Sequence, residues 1–122
     1  MIDITSQVIG IAKRMPGINW AGRTYPQAKI KPPYIVVAPP YTVPDLTDAD
    51  GSVIRAHLTY SIDVLATSSS EVDHYLSGLA DRLARYNMHL TGQSDLFESS
   101  NNTYRISATF DGMVDRRGHT FR

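Results

Sequence analysis

The stretch Val53-Ile54-Arg55-Ala56-His57-Leu58-Thr59-Tyr60-Ser61-Ile62-Asp63-Val64-Leu65-Ala66-Thr67 decides the class of fold. Successive side chains of an extended chain point to opposite sides. Ile54, Ala56, Leu58, Tyr60, Ile62, Val64 and Ala66 therefore share one face, and Arg55, His57, Thr59, Ser61 and Asp63 share the other. The pattern predicts a long antiparallel strand with one buried and one wet face. Thr103 to Asp115 repeats it, with Tyr104, Ile106, Ala108, Phe110 and Val114 inward. Gly112 in that run suits a bulge or a close backbone approach.

A strand wet on one side needs cover on the other, and two amphipathic stretches can supply it. Ile4, Val8, Ile11, Ala12 and Met15 recur at helical spacing within Ile2 to Met15, and Pro16-Gly17 stops the run. Asp3 sits at the positive end of that helix dipole, Lys13 and Arg14 at the negative end. Ser68 and Glu71 have capping-box spacing. Val72, Tyr75, Leu76, Leu79, Ala80, Leu83 and Tyr86 follow as one apolar stripe, and Asn87 and Gly92 bracket its end.

Between these, Ile18 to Tyr25 reads as an extended segment. Pro32-Pro33 forces an extended entry into a buried strand, Tyr34 to Ala38, which Pro39-Pro40 ends. Residues 40–52, with two prolines, three aspartates and a glycine, read as a loop. Asp95 to Ser99 reads as a short strand and Asn101-Asn102 as a turn. The order α-β-β-β-α-β-β predicts an α+β two-layer sandwich, a mainly antiparallel sheet with two helices on one face. Residues 1–115 form its single domain, and 116–122 a basic C-terminal tail.

The chain has 122 residues, 42% of them apolar, which is one domain's worth with enough for a core. Twelve basic residues balance twelve acidic ones, unlike a protein that coats nucleic acid. There is no cysteine, which excludes disulfides, thiolate metal sites and a Cys nucleophile. No membrane span or signal peptide is visible. Charge is unevenly placed. Residues 1–31 carry five basic and one acidic residue, 32–54 three acidic and no basic, and 82–122 six basic and four acidic.

No constellation points to catalysis or to a cofactor. Thr47-Asp48-Ala49-Asp50-Gly51 resembles the middle of a calcium loop, but the first and twelfth positions are then Leu46 and His57, neither an oxygen ligand. His57, His74, His89 and His119 show no metal-ligand spacing. His57 and Asp63 share a strand face but lie six residues, ~20 Å, apart. No Gly-x-Ser-x-Gly or Gly-rich phosphate loop occurs. Asn101-Asn102-Thr103 matches a glycosylation sequon, which without a secretory signal marks only a turn. The RNA-stacking signature of exposed sheet aromatics is also missing, and Tyr60, Tyr104 and Phe110 fall on the inward face.

The ordered series resembles a known family. An N-terminal helix leads to Lys31-Pro32-Pro33-Tyr34-Ile35-Val36-Val37, an irregular loop and Tyr60-Ser61-Ile62-Asp63-Val64-Leu65-Ala66. A Ser-capped helix with Leu79-Ala80-Asp81-Arg82-Leu83 follows, then Tyr104-Arg105-Ile106-Ser107-Ala108-Thr109-Phe110-Asp111-Gly112-Met113-Val114-Asp115. Over residues 1–117 this resembles the tail terminator (tail completion) proteins of long-tailed bacteriophages. The resemblance implies a non-enzymatic virion protein at the tail–head junction, assembled in the host cytoplasm. It would form a homo-oligomeric ring, a hexamer in that family, which caps the tail tube, stops its polymerisation and offers the head-docking surface. Its partners would be copies of itself, the tail tube protein and a head-completion or connector protein. Phage DNA would pass through the lumen without specific binding. No cofactor, metal or membrane is implied.

The expected partner interface pairs Asp45, Asp48 and Asp50 with the basic tail Arg116, Arg117, His119, Phe121 and Arg122, since complementary charge steers and registers contacts between copies. Three alternatives remain at this level. One is a neck or head-closure ring protein of the same virion. Another is a small nucleic-acid-binding module using Arg55, His57 and Arg105 on the wet face. The last is a small enzyme or carrier using His57, Asp63 or the Asp48/Asp50 loop.

Overall fold

The computed structural model describes residues 3–27, 29–98 and 103–121. In chain order the elements are α1 (Thr5–Lys13), β1 (Trp20–Gly22), β2 (Tyr34–Val37), β3 (Tyr41–Thr47), β4 (Val53–Ala66), α2 (Ser69–Ala84), β5 (His89–Gln93), β6 (Phe97–Glu98), β7 (Tyr104–Asp115) and β8 (Thr120–Phe121). The expected α+β layers are present, a mainly antiparallel sheet under two helices, with short strands added to the expected order. Ser99, Ser100 and the Asn101-Asn102 turn lie outside the described residues.

The two alternating stretches form the centre of the sheet. β4 and β7 pair antiparallel from Arg55↔Asp115 to Ala66↔Tyr104. β2 joins β4 at Tyr34↔Leu65 to Val37↔Ile62, and β3 joins the same edge further along, at Tyr41↔Thr59 to Thr47↔Val53. β6, β5 and β8 line up in the same way along the far edge of β7. β1 runs parallel to β2 at the sheet margin.

The inward sets of both long strands are buried except at Ile54 and Tyr104, which are half-buried at the strand ends, and Leu58, Tyr60, Ile62, Val64 and Phe110 are fully so. They pack against Ile4, Val8, Ile11, Ala12 and Met15 of the α1 segment and Val72, Leu76, Leu79 and Leu83 of α2, in one apolar cluster. Tyr60 anchors α1 with a polar contact inside this cluster. Its Oη accepts from the Ile4 N–H at 3.1 Å, donates to Asp3 Oδ1 at 3.2 Å and lies 3.2 Å from Thr5 Oγ1. Gly112 is a close approach, since a β-carbon there would lie 2.1 Å from Met88 Sδ.

Three local expectations change. Residues 40–52 are a hairpin arm rather than a loop. Pro44 is accommodated because β3 is an edge strand, where a missing N–H need not break a ladder bond, and the register shifts just after it. The turn contracts to Asp48–Ser52, where Asp48 Oδ1 accepts from the N–H groups of Asp50 (3.0 Å) and Ser52 (2.9 Å). The capping box forms only on one side. Ser68 Oγ accepts from the Glu71 N–H at 3.2 Å, while Glu71 Oε2 accepts from Thr67 Oγ1. Tyr86 lies beyond α2 and is 49% exposed, because the chain turns at Asn87 with φ of 59°.

Candidate interaction surface

The expected acidic and basic sets meet within one chain. Arg55 holds Asp45 at 2.5 Å, and Arg116 Nη1 lies 3.7 Å from Asp48 Oδ2. The Arg116 N–H also donates to the Ile54 carbonyl at 2.9 Å, fixing the start of the basic segment to β4. Asp115 Oδ1 accepts from the N–H groups of Arg117 and His119, both at 2.9 Å. The His119 N–H above all keeps the Asp115 carboxyl below its ordinary range; burial opposes it, and the Arg117 N–H adds to the lowering. The segment after Asp115 is thus folded onto its own sheet as far as β8, whose Phe121 backbone pairs with Met113. Arg122 lies outside the described residues. Asp50 and Arg117 make no ion pair among the described residues. These ion pairs are solvent-accessible, so each contributes about 0–1 kcal/mol.

The wet face of the sheet is occupied by its own partners. Tyr25 folds over it and donates to Asp63, which also accepts from Ser107 Oγ at 2.6 Å. Burial and then the Asp63 bond raise the Tyr25 phenol above its ordinary value. Arg105 reaches Tyr25 Oη at 3.4 Å and stacks over Phe97 at 5.1 Å. Tyr25, Tyr34 and Trp20 meet edge to face. His57 Nε2 lies 3.5 Å from Asp111 Oδ2. His57 and Asp63 therefore belong to separate contacts, and Arg55, His57 and Arg105 each face an acid or a phenol of the same chain. Among the described residues no group of three His, Asp or Glu could hold a metal ion, and no helix is long and apolar enough to cross a membrane.

What stands open is apolar. Tyr41 is 72% exposed on β3, with Val43 and Leu46 beside it, while Leu90, Leu96 and Phe97 are exposed at the opposite margin. Exposed apolar patches of this kind mark association surfaces, and an edge strand adds free backbone groups. The sequence signal for β3 was present as Tyr41 and Val43 at alternate positions between Pro40 and Pro44. The proline and aspartate content masked it. A second surface missed in sequence lies at the helix ends, where Arg14, Arg82, Arg85 and Tyr86 line one depression.

A solved structure shares this fold. It is a chain from the virion of a native gene transfer agent particle, similar with a TM-score of 0.60 at 14% sequence identity, covering 92% of this chain and 84% of that one. No protein-family model and no curated protein matches the sequence. At this level of identity the likeness is one of fold.

Proposed function

We propose that this chain is a structural virion protein of a phage-like particle, a ring subunit that caps the tail tube, stops its growth and presents the surface on which the head docks. The observation that carries the reading is the likeness in fold, over nearly the whole chain, to a component of a gene transfer agent virion. The order of elements resembling tail terminators supports the terminator role within such a particle. A hairpin arm paired to β4, with exposed Tyr41, Val43 and Leu46, supports contact with neighbouring copies. A formal net charge of zero suits a conduit through which DNA passes without being held. In this reading the protein performs no catalysis. Its partners are further copies in a hexameric ring, the tail tube protein and a head-completion or connector protein at the tail–head junction. The knuckle of Asp45, Asp48, Asp50, Arg116, Arg117 and His119, continued by Phe121 and Arg122, forms part of the contact surface.

The test is electron microscopy of particles assembled with and without the protein. Its loss is expected to give overlong tubes and unjoined heads, and its addition to restore capped tails of uniform length. Tubes of normal length without the protein refute the terminator role. Tails of normal length that still fail to join heads move the protein to the neighbouring head-closure ring.

A further inference from the structure

A groove of about 490 Å³ runs between α1, the end of α2 and the turn before β8, floored by Ile4, Val8, Ile11, Leu83 and Met88. At the C-terminal ends of the helices it opens into a second depression of about 400 Å³, lined by Arg14, Arg82, Arg85 and Tyr86. Ile11, Arg14 and Tyr86 belong to both, so the two form one continuous channel. Among the described residues none of the three arginines lies within ion-pair distance of a carboxylate, and Arg82 reaches only the Gly78 carbonyl, at 3.4 Å. Cations near helix C-termini are favoured by the dipole, but three in one depression repel one another and attract an anion.

The hairpin arm has the complementary character. Residues 32–54 carry three aspartates and no lysine or arginine. Arg55 engages Asp45 and Arg116 engages Asp48, which leaves the Asp50 carboxylate at the tip without an ion pair among the described residues. Behind it stand the exposed Tyr41, Val43 and Leu46. The arm is therefore apolar with a carboxylate at its end, and the channel apolar with arginines at its end. The arm is also held in place. β3 is paired to β4 from Tyr41 to Thr47 and the tip is tied to Arg116, so the arm is not free to fold into its own channel.

We infer that the hairpin arm of one copy seats in the helix groove of the next, with Asp50 entering the depression formed by Arg14, Arg82 and Arg85. Arm and groove are different surfaces, so the contact is head to tail and closes into a ring or extends as a fibre. This rests on the self-assembling reading above and names the surfaces that meet.

The chain has no cysteine, so an introduced pair reports without background. Subunits carrying Asp50→Cys and subunits carrying Arg85→Cys are mixed, assembled alone and on tail tubes, and oxidised. A disulfide between different chains is expected, together with at least a tenfold loss of self-association, read by analytical ultracentrifugation, for Asp50→Arg or Arg85→Asp alone. Combining the two reversals in one chain is expected to recover most of that loss. Rings that form without the cross-link and ignore both reversals overturn the inference and leave the ring reading standing. A protein that stays monomeric at every concentration and on tail tubes overturns both. Salt-sensitive retention of DNA that Arg85→Asp abolishes, with no cross-link between chains, assigns the depression to phosphate and overturns the docking.

Discussion

Replacing Tyr60 by phenylalanine removes one oxygen from the middle of the core and tests how α1 is held to the sheet. The ring stays, so packing is conserved. The Ile4 N–H, bonded to Tyr60 Oη at 3.1 Å, is left in a buried setting without its acceptor, and Asp3 loses a donor. An orphaned buried donor costs about 1–3 kcal/mol. Taking roughly 2 kcal/mol, a domain of this size melts about 8 °C lower, at about 4 °C per kcal/mol. The same oxygen gives a pH signature. Burial above all, aided by the Asp3 carboxylate and opposed by hydrogen bonds from Thr5 and Ile4, pushes the Tyr60 phenol up to about 12 from 10.0.

The sign of the effect follows from which state ionises first. Below pH 10 the phenol is protonated in both states and its contribution is whole. Above pH 10 the unfolded chain releases the proton while the folded chain retains it, so stability falls until the folded value is reached. Between pH 9 and 11 this linkage lowers the parent by about 1.4 kcal/mol, and Tyr60→Phe lacks it. Urea titrations followed by circular dichroism at pH 7, 9 and 11 are therefore expected to show a gap of about 2 kcal/mol that shrinks to well under 1 at pH 11, with the other tyrosines cancelling in the difference. A variant as stable as the parent at pH 7, or a gap unchanged between pH 9 and 11, refutes the reasoning.

Leu79→Asp, which places a carboxylate at a fully buried position, is expected to give insoluble or unfolded protein, while Leu79→Ala stays soluble and loses about 2–5 kcal/mol in denaturant titrations. Gly112→Ala drives a β-carbon against Met88 Sδ and is expected to cost about 1–3 kcal/mol, and combining it with Met88→Ala is expected to lose less stability in denaturant titrations than the two single losses added together. Limited proteolysis of the free subunit is expected to cut first within residues 48–52 and to be blocked there in the assembled particle; equal cleavage in both states means that the tip touches no neighbour. Because the Asp115 carboxyl sits below 3.8, its support of the following turn is present above that pH and lost as pH falls through the lower folded value. Protection of the β8 amides relative to their unfolded-chain exchange rates should fall in acid, and Asp115→Ala should lower it at neutral pH.

The long elements were legible because many residues vote for each. Seven apolar positions fix the face of β4, and the stripe from Val72 to Leu83 fixes that of α2. β3 was hidden because its pairing partner supplies the order. Pro44 and Asp45 disfavour a strand locally, yet an edge beside β4 accepts both. The basic segment looked unattached because its attachment is a backbone bond from Arg116 to Ile54 and two amide bonds to Asp115, none of which leaves an apolar period. Tyr86 fitted the helical period, but the turn at Asn87 ended the helix first. The channel at the helix ends joins Arg14 to Arg82 and Arg85 across a long separation in sequence, which no local pattern encodes.

The pairing of the sheet is unequal along its width. Twelve consecutive partners join β4 to β7, while each margin is assembled from short pieces, β2 and β3 on one side and β6, β5 and β8 on the other. A short piece can open, lengthen or change its side chains without disturbing the spine, because β4 and β7 hold each other in register and only β1 depends on a marginal strand, β2. Opening free energies should therefore rise from margin to centre, with the amides of β4 and β7 the last to exchange. The same inequality gives the sequence room to vary. Margins can be rewritten one short strand at a time while the two central strands keep the chain foldable. This is one physical route by which two chains can share a fold at 14% identity.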